Sequence, residues 1–94
     1  MSKLTRVEII ANHSVEADIM EALARHGMAD HFTKIPNVHG RGDSEPKRGD
    51  HIWPEENFLL IIYCNEDQSQ VIEEAIEQVR ENFPDEGIRC FITG

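Results

Sequence analysis

Apolar and polar residues partly alternate from Leu4 to Ala11 (L-T-R-V-E-I-I-A). With its β-branched side chains, that stretch predicts a strand buried on at least one face. The period then lengthens. Val15, Ile19, Ala22, Leu23 and His26 recur at helical spacing. Ser14 stands where a hydroxyl caps a helix start, Glu16 and Asp18 where the helix dipole favours acids, and Gly27 where a left-handed residue ends the turn. His31 to Val38 (H-F-T-K-I-P-N-V) predicts a second strand. Pro36 has no N–H for a ladder, which assigns this strand to a sheet edge or a bulge. Asn57 to Cys64 (N-F-L-L-I-I-Y-C), the most apolar run in the chain, predicts the central strand. Between Ser69 and Phe83, the residues Ile72, Ala75, Ile76, Val79 and Phe83 mark a second amphipathic helix stopped by Pro84, and Gly87 to Thr93 predicts a fourth strand.

The order β-α-β-β-α-β is that of an α+β, ferredoxin-like unit, a four-stranded antiparallel sheet with two helices on one face. Residues 1–94 make a single domain on this reading. Helices on one side leave one pattern unexplained: Phe58, Leu60 and Ile62 alternate with Leu59, Ile61 and Tyr63, so the central strand is apolar on both faces. A chain of this size buries only about 60–65% of its unfolded surface, and a second subunit is the expected cover for the other face.

His39 to Pro54 (H-G-R-G-D-S-E-P-K-R-G-D-H-I-W-P) has neither period. It exceeds the roughly 12–15 residues at which an irregular connection usually becomes a binding element, so it is the first place to look for recognition. Gly40 and Gly42 allow a tight turn that exposes successive N–H groups to an anion, and Arg41, Lys47 and Arg48 add positive charge, which Asp43, Glu45 and Asp50 offset. His39 and His51 bracket the loop. With His13, His31, Asp50, Glu55 and Glu56 they supply ligand types for a divalent transition metal, without the spacing that defines a site. Trp53 is a candidate anchor for the loop.

The net charge of −9 argues against nucleic acid or an anionic membrane surface as a partner. Five of the 18 acids, Asp67, Glu73, Glu74, Glu77 and Glu81, lie along the second predicted helix, as a solvated face. No apolar run approaches the roughly 18–20 residues of a membrane span, and no signal-peptide region precedes the first strand, so a cytoplasmic protein without membrane insertion is expected. Cys64 and Cys90 lack C-x-x-C spacing and lie in strand-like runs, which predicts buried reduced thiols. Ser44 has no evident base and neither cysteine is placed as a nucleophile, so no enzyme is expected. Arg41-Gly42-Asp43 matches an integrin-binding tripeptide, a coincidence in a cytoplasmic setting.

Taken together, R-V-E-I-I in the first strand, E-A-L at Glu21 to Leu23 before Gly27, V-x-G-x-G at Val38, Gly40 and Gly42, the long loop, and V-I-E-E-A-I at Val71 to Ile76 resemble the PII-like signalling superfamily over nearly the whole chain. The resemblance implies a homotrimer. It also implies an adenine nucleotide (ATP, ADP or AMP) in the subunit clefts near Gly40 and Gly42, and a loop 39–54 that docks onto a regulated enzyme or transporter. Gly87 and Arg89 are the counterparts of the family's phosphate-binding segment. Two stretches depart from the pattern: Asp43-Ser44 stands where PII proteins carry Arg-Gln, and Asn82 to Gly87 (N-F-P-D-E-G) is short and acidic where they are rich in glycine and lysine. The alternative is a metal-binding trimer resembling the CutA-type divalent-ion tolerance proteins, with His39 and His51 as ligands.

Overall fold

The structure, a computed structural model, describes residues 4–39 and 56–94. Four strands, β1 (Thr5–Asn12), β2 (Thr33–Val38), β3 (Asn57–Cys64) and β4 (Ile88–Thr93), form one antiparallel sheet in the order β2-β3-β1-β4. Helices α1 (Glu16–Arg25) and α2 (Glu66–Asn82) supply the crossovers, so the expected ferredoxin-like βαββαβ fold is present.

The period-2 pattern explains where the core lies. Val7, Ile9 and Ala11 on β1 and Phe58, Leu60 and Ile62 on β3 turn to one side of the sheet, where they are fully buried against Ile19, Ala22 and Leu23 of α1 and Ile72, Ala75, Ile76 and Val79 of α2. The opposite side carries the other half of each strand. Ile10, Leu59, Ile61, Tyr63, Ile35 and Phe91 share that outer face by register, with Tyr63 53% and Phe91 49% exposed. The double-sided apolar pattern of β3 is thus real, and no element among the described residues covers its second side. Arg6 and Glu8 sit on the outer face too, their side chains 2.7 Å apart, with Arg6 also donating to the Tyr63 hydroxyl at 3.2 Å.

Local signals account for the element ends, and at both helix starts they differ from the sequence reading. Asn12, rather than Ser14, caps the first helical segment: its side chain accepts from the Ser14 N–H at 2.9 Å, and His13–Val15 form a 3₁₀ turn before α1 begins. The second helix starts at Glu66, three residues before Ser69, because Asn65 and Gln68 form a reciprocal capping box at 2.8 and 3.0 Å. Ser69, taken as that helix's start, is buried and donates its hydroxyl to the Glu66 carbonyl. At the end of α1, Gly27 has φ 71°, and the N–H groups of Gly27 and Met28 return to the carbonyls of Ala24 and Leu23. This double return is a Schellman ending, and it uses the glycine for the left-handed conformation that side chains disfavour. Pro36 lies on the edge strand β2 in the irregular stretch between Ile35 and Val38, so both placements inferred for it hold. Cys64 and Cys90 are free, and burial pushes both thiols up from the usual cysteine range.

Candidate functional site at the base of the loop

Backbone pairing fixes what meets at the foot of the β2–β3 connection. Val38 pairs with Asn57, Asn57 with Asn12, and Ala11 with Ile88, so both stems of the loop leave the sheet at the end where β1 finishes and β4 begins. Gly87 and Arg89 therefore share an end with His39. They do not share an edge. β4 lies three strand positions from β2, about 14 Å at the usual spacing between strands. Gly40, Arg41, Gly42, Lys47, Arg48 and His51 fall outside the described residues, as do Ser44, Asp50, Trp53 and Glu55.

Arg80 of α2 holds the start of β4. Its guanidinium donates twice to the Ile88 carbonyl, at 3.2 and 3.1 Å, and pairs with Glu77 at 2.6 Å. Gly87 just before has no left-handed φ, and a Cβ built on it meets nothing within 4 Å. The chain's own packing thus leaves this backbone open.

A polar cluster holds the β2 side. From the 3₁₀ turn, the His13 ring places Nδ1 2.8 Å from a Glu16 carboxylate oxygen and Nε2 3.3 Å from the Asn37 side-chain oxygen. Its backbone N–H donates to the Glu56 carbonyl at 3.3 Å, on the other stem, and its ring packs tilted against Phe58 with centroids 5.7 Å apart. The second Glu16 oxygen accepts from Lys34 Nζ at 2.5 Å. Lys34 reaches it because β2 turns that side chain to the helix side, opposite Leu60. The hydrogen bond from Lys34 holds the Glu16 carboxyl below the usual carboxylate range, and the hydrogen bond to Glu16 raises the His13 imidazole above 6.5.

In the sequence, His13 stands only among possible metal ligands, and nothing marks Glu16, Lys34 and Asn37 as a set with it. The available signal was Lys34 in an inward register on an edge strand, where a cation needs a partner. For the metal reading, His39 is exposed, and the described residues contain no group of three or more His, Cys, Asp or Glu able to hold an ion. At the far end of the sheet from the stems at His39 and Glu56, a depression of about 230 Å³ lies between Gly27, Asp30, His31, Ile62, Cys64 and Gln68.

With the fold and this loop base in view, the family follows. The model of the nitrogen regulatory protein P-II family matches residues 4–93, and the chain belongs to that family of PII-like signalling proteins. Solved structures agree in fold. CPII of Thiomonas intermedia K12, a nitrogen regulatory PII-like protein bound to ADP, AMP and bicarbonate, has a TM-score of 0.67 at 18% identity, covering 96% of this chain and 87% of its own. A PII-like signalling protein of Thermus thermophilus has a TM-score of 0.59 at 22% identity, covering 96% and 84%. A DUF3240 family protein of Shewanella baltica reaches 0.72 at 18% identity, covering 100% and 91%. No curated protein matches the sequence. The CutA-like alternative draws no support from these matches. No helix among the described residues is long and apolar enough to cross a membrane.

Proposed function

We propose that residues 1–94 act as one domain of a cytoplasmic, homotrimeric PII-like regulator without catalytic activity. It binds an adenine nucleotide in the clefts between subunits and engages a regulated enzyme or transporter through loop 39–54. The observation that carries this reading is the convergence of both loop stems with Gly87 and Arg89 at one end of the sheet. Those residues stand on opposite edges of a single copy, about 14 Å apart. A cleft between two copies, with the loop base of one beside β4 of the next, brings them around one ligand. The exposed apolar outer face supplies the surface through which copies meet. Arg89, with Arg41, Lys47 and Arg48 of the loop, answers the phosphates electrostatically, and the open backbone at Gly87 lets a phosphate approach the chain closely. The binding of ADP and AMP by CPII, which shares the fold, supports the choice of adenine nucleotide.

Thermal shift with ATP, ADP and AMP against zinc and copper tests it. A nucleotide at about 100 times its Kd stabilises the folded state by about 2.7 kcal/mol, and the melting temperature rises accordingly. Gly87→Ala is expected to melt where the parent does without ligand, since its Cβ has open space, and to lose most of the nucleotide shift. Stabilisation by metal alone, lost in His39→Ala or His51→Ala, overturns the nucleotide reading.

A further inference from the structure

Residues 83–87 carry the chain from the end of α2 to the start of β4. The Phe83 N–H returns to the Val79 carbonyl at 3.0 Å, and the Glu86 N–H closes a turn on the Phe83 carbonyl at 3.1 Å. The ladder with β1 begins at the pair Ala11–Ile88, so Gly87 stands between the turn and the sheet. Arg80 spans that gap from the last turn of α2. Its Nε and Nη2 donate to the Ile88 carbonyl at 3.2 and 3.1 Å, while Nη1 donates to Glu77 at 2.6 Å. Every nitrogen of a rigid planar fork is engaged, which holds the fork against rotation. The Ile88 carbonyl lies in one peptide plane with the N–H and Cα of Arg89. Fixing that oxygen therefore fixes where the Arg89 side chain leaves the backbone.

We propose that Arg80 is a positioning residue of the nucleotide site: it sets the Ile88–Arg89 peptide so that the open backbone at Gly87 and the side chain of Arg89 meet the phosphates together. This rests on the reading of Gly87 and Arg89 as phosphate-binding residues, and it names the group that assembles their side of the cleft. Arg80 acts through the backbone and not by touching the ligand. Its three nitrogens donate within the chain, and Glu77 offsets its charge. Lysine keeps the charge but offers a single nitrogen on a flexible stem, which cannot hold one oxygen with two atoms and pair with Glu77 as well. The shape of the guanidinium, more than its charge, is what this position requires.

Calorimetric titration with ADP, thermal melting and amide hydrogen exchange of the full chain test it, comparing the parent with Arg80→Lys, Arg80→Gln and Asn65→Ala. The last variant cuts the cap at the other end of α2 and serves as the control for lost stability. Both Arg80 variants are expected to bind ADP several-fold more weakly, and in the ligand-free chain their Gly87 and Arg89 amides should exchange several-fold faster. Asn65→Ala should melt earlier yet keep the parental ADP affinity and the parental exchange at those two amides. Parental ADP affinity in Arg80→Lys overturns the proposal, because charge alone then suffices. A loss of ADP affinity in Asn65→Ala as large as that in Arg80→Lys also overturns it, since stability then explains both. Exchange separates the two readings. Faster exchange at Gly87 and Arg89 in Arg80→Lys, in a chain whose parent takes up no ADP, defeats the nucleotide assignment alone; ADP binding by the parent with those amides unchanged in Arg80→Lys defeats the role of Arg80 alone.

Discussion

At the scale of single residues, the base of the loop depends on two side chains whose proton affinities move in opposite directions. Glu16, held by Lys34, keeps its charge to lower pH than an ordinary carboxylate; His13, held by Glu16, keeps its proton to higher pH than an ordinary imidazole. The signs follow from linkage. The His13 contribution to folding is complete below 6.5 and is lost as pH rises through its raised folded value, while that of Glu16 is complete above 4.5 and is lost as pH falls through its depressed folded value. Urea melts of the parent and His13→Gln across this range should differ most between 4.5 and 6.5, with the difference closing on the alkaline side. A difference that grows above neutral pH would contradict the pairing. Gly27 shows a residue effect of another kind: with φ 71° and open space around its Cβ position, its requirement comes from the backbone alone.

At the scale of elements, the capping box of α2 is the most exposed device that fixes a boundary. Asn65→Ala removes one hydrogen bond of the pair and leaves the first-turn N–H of Gln68 without its acceptor, so a loss of about 1 kcal/mol in chemical denaturation is expected, with the sheet unchanged. This boundary also shows what the sequence made readable. Strands β1, β3 and β4 and the bodies of both helices were legible because burial writes its period into the choice of side chain. The first turn of α2 was not, since Glu66, Asp67 and Gln68 are exposed and carry no apolar mark; the signal was the Asn-x-x-Gln spacing of the cap. Asn12 was overlooked in favour of Ser14 for a related reason, because the intervening 3₁₀ turn moves the start of α1 by three residues. His31 and Phe32, included in the second strand, are exposed and lie outside the ladder of β2. The His13 cluster escaped notice because its members are separated by 18 and 24 positions in the chain and meet only once β2 has docked on β3. Gly87 and Arg89 were reached through family resemblance, and the pairing of Ala11 with Ile88 now gives their position a physical basis.

At the scale of the whole molecule, the two faces of the sheet differ in what completes them. Helices close one, while on the other Tyr63, Phe91 and Ile35 remain open around the pair Arg6–Glu8. Arg6 pairs with Glu8 at 2.7 Å and donates to the Tyr63 hydroxyl, so the polar groups of that face are matched within the chain while its apolar side chains stay open. Phe91→Glu introduces a charge opposite Glu8 and should convert a trimer to monomers in size-exclusion chromatography with light scattering; a stable parental monomer at micromolar concentration would contradict assembly through this face. The edge strand bears on a different hazard. A sheet with open edges invites strands from other chains to add to it, and growth of that kind has no natural end. Along β2 the ladder is interrupted between Ile35 and Val38, and Pro36 offers no hydrogen there to an incoming strand. An irregularity that shapes a loop stem thereby also blunts the edge against fibre growth.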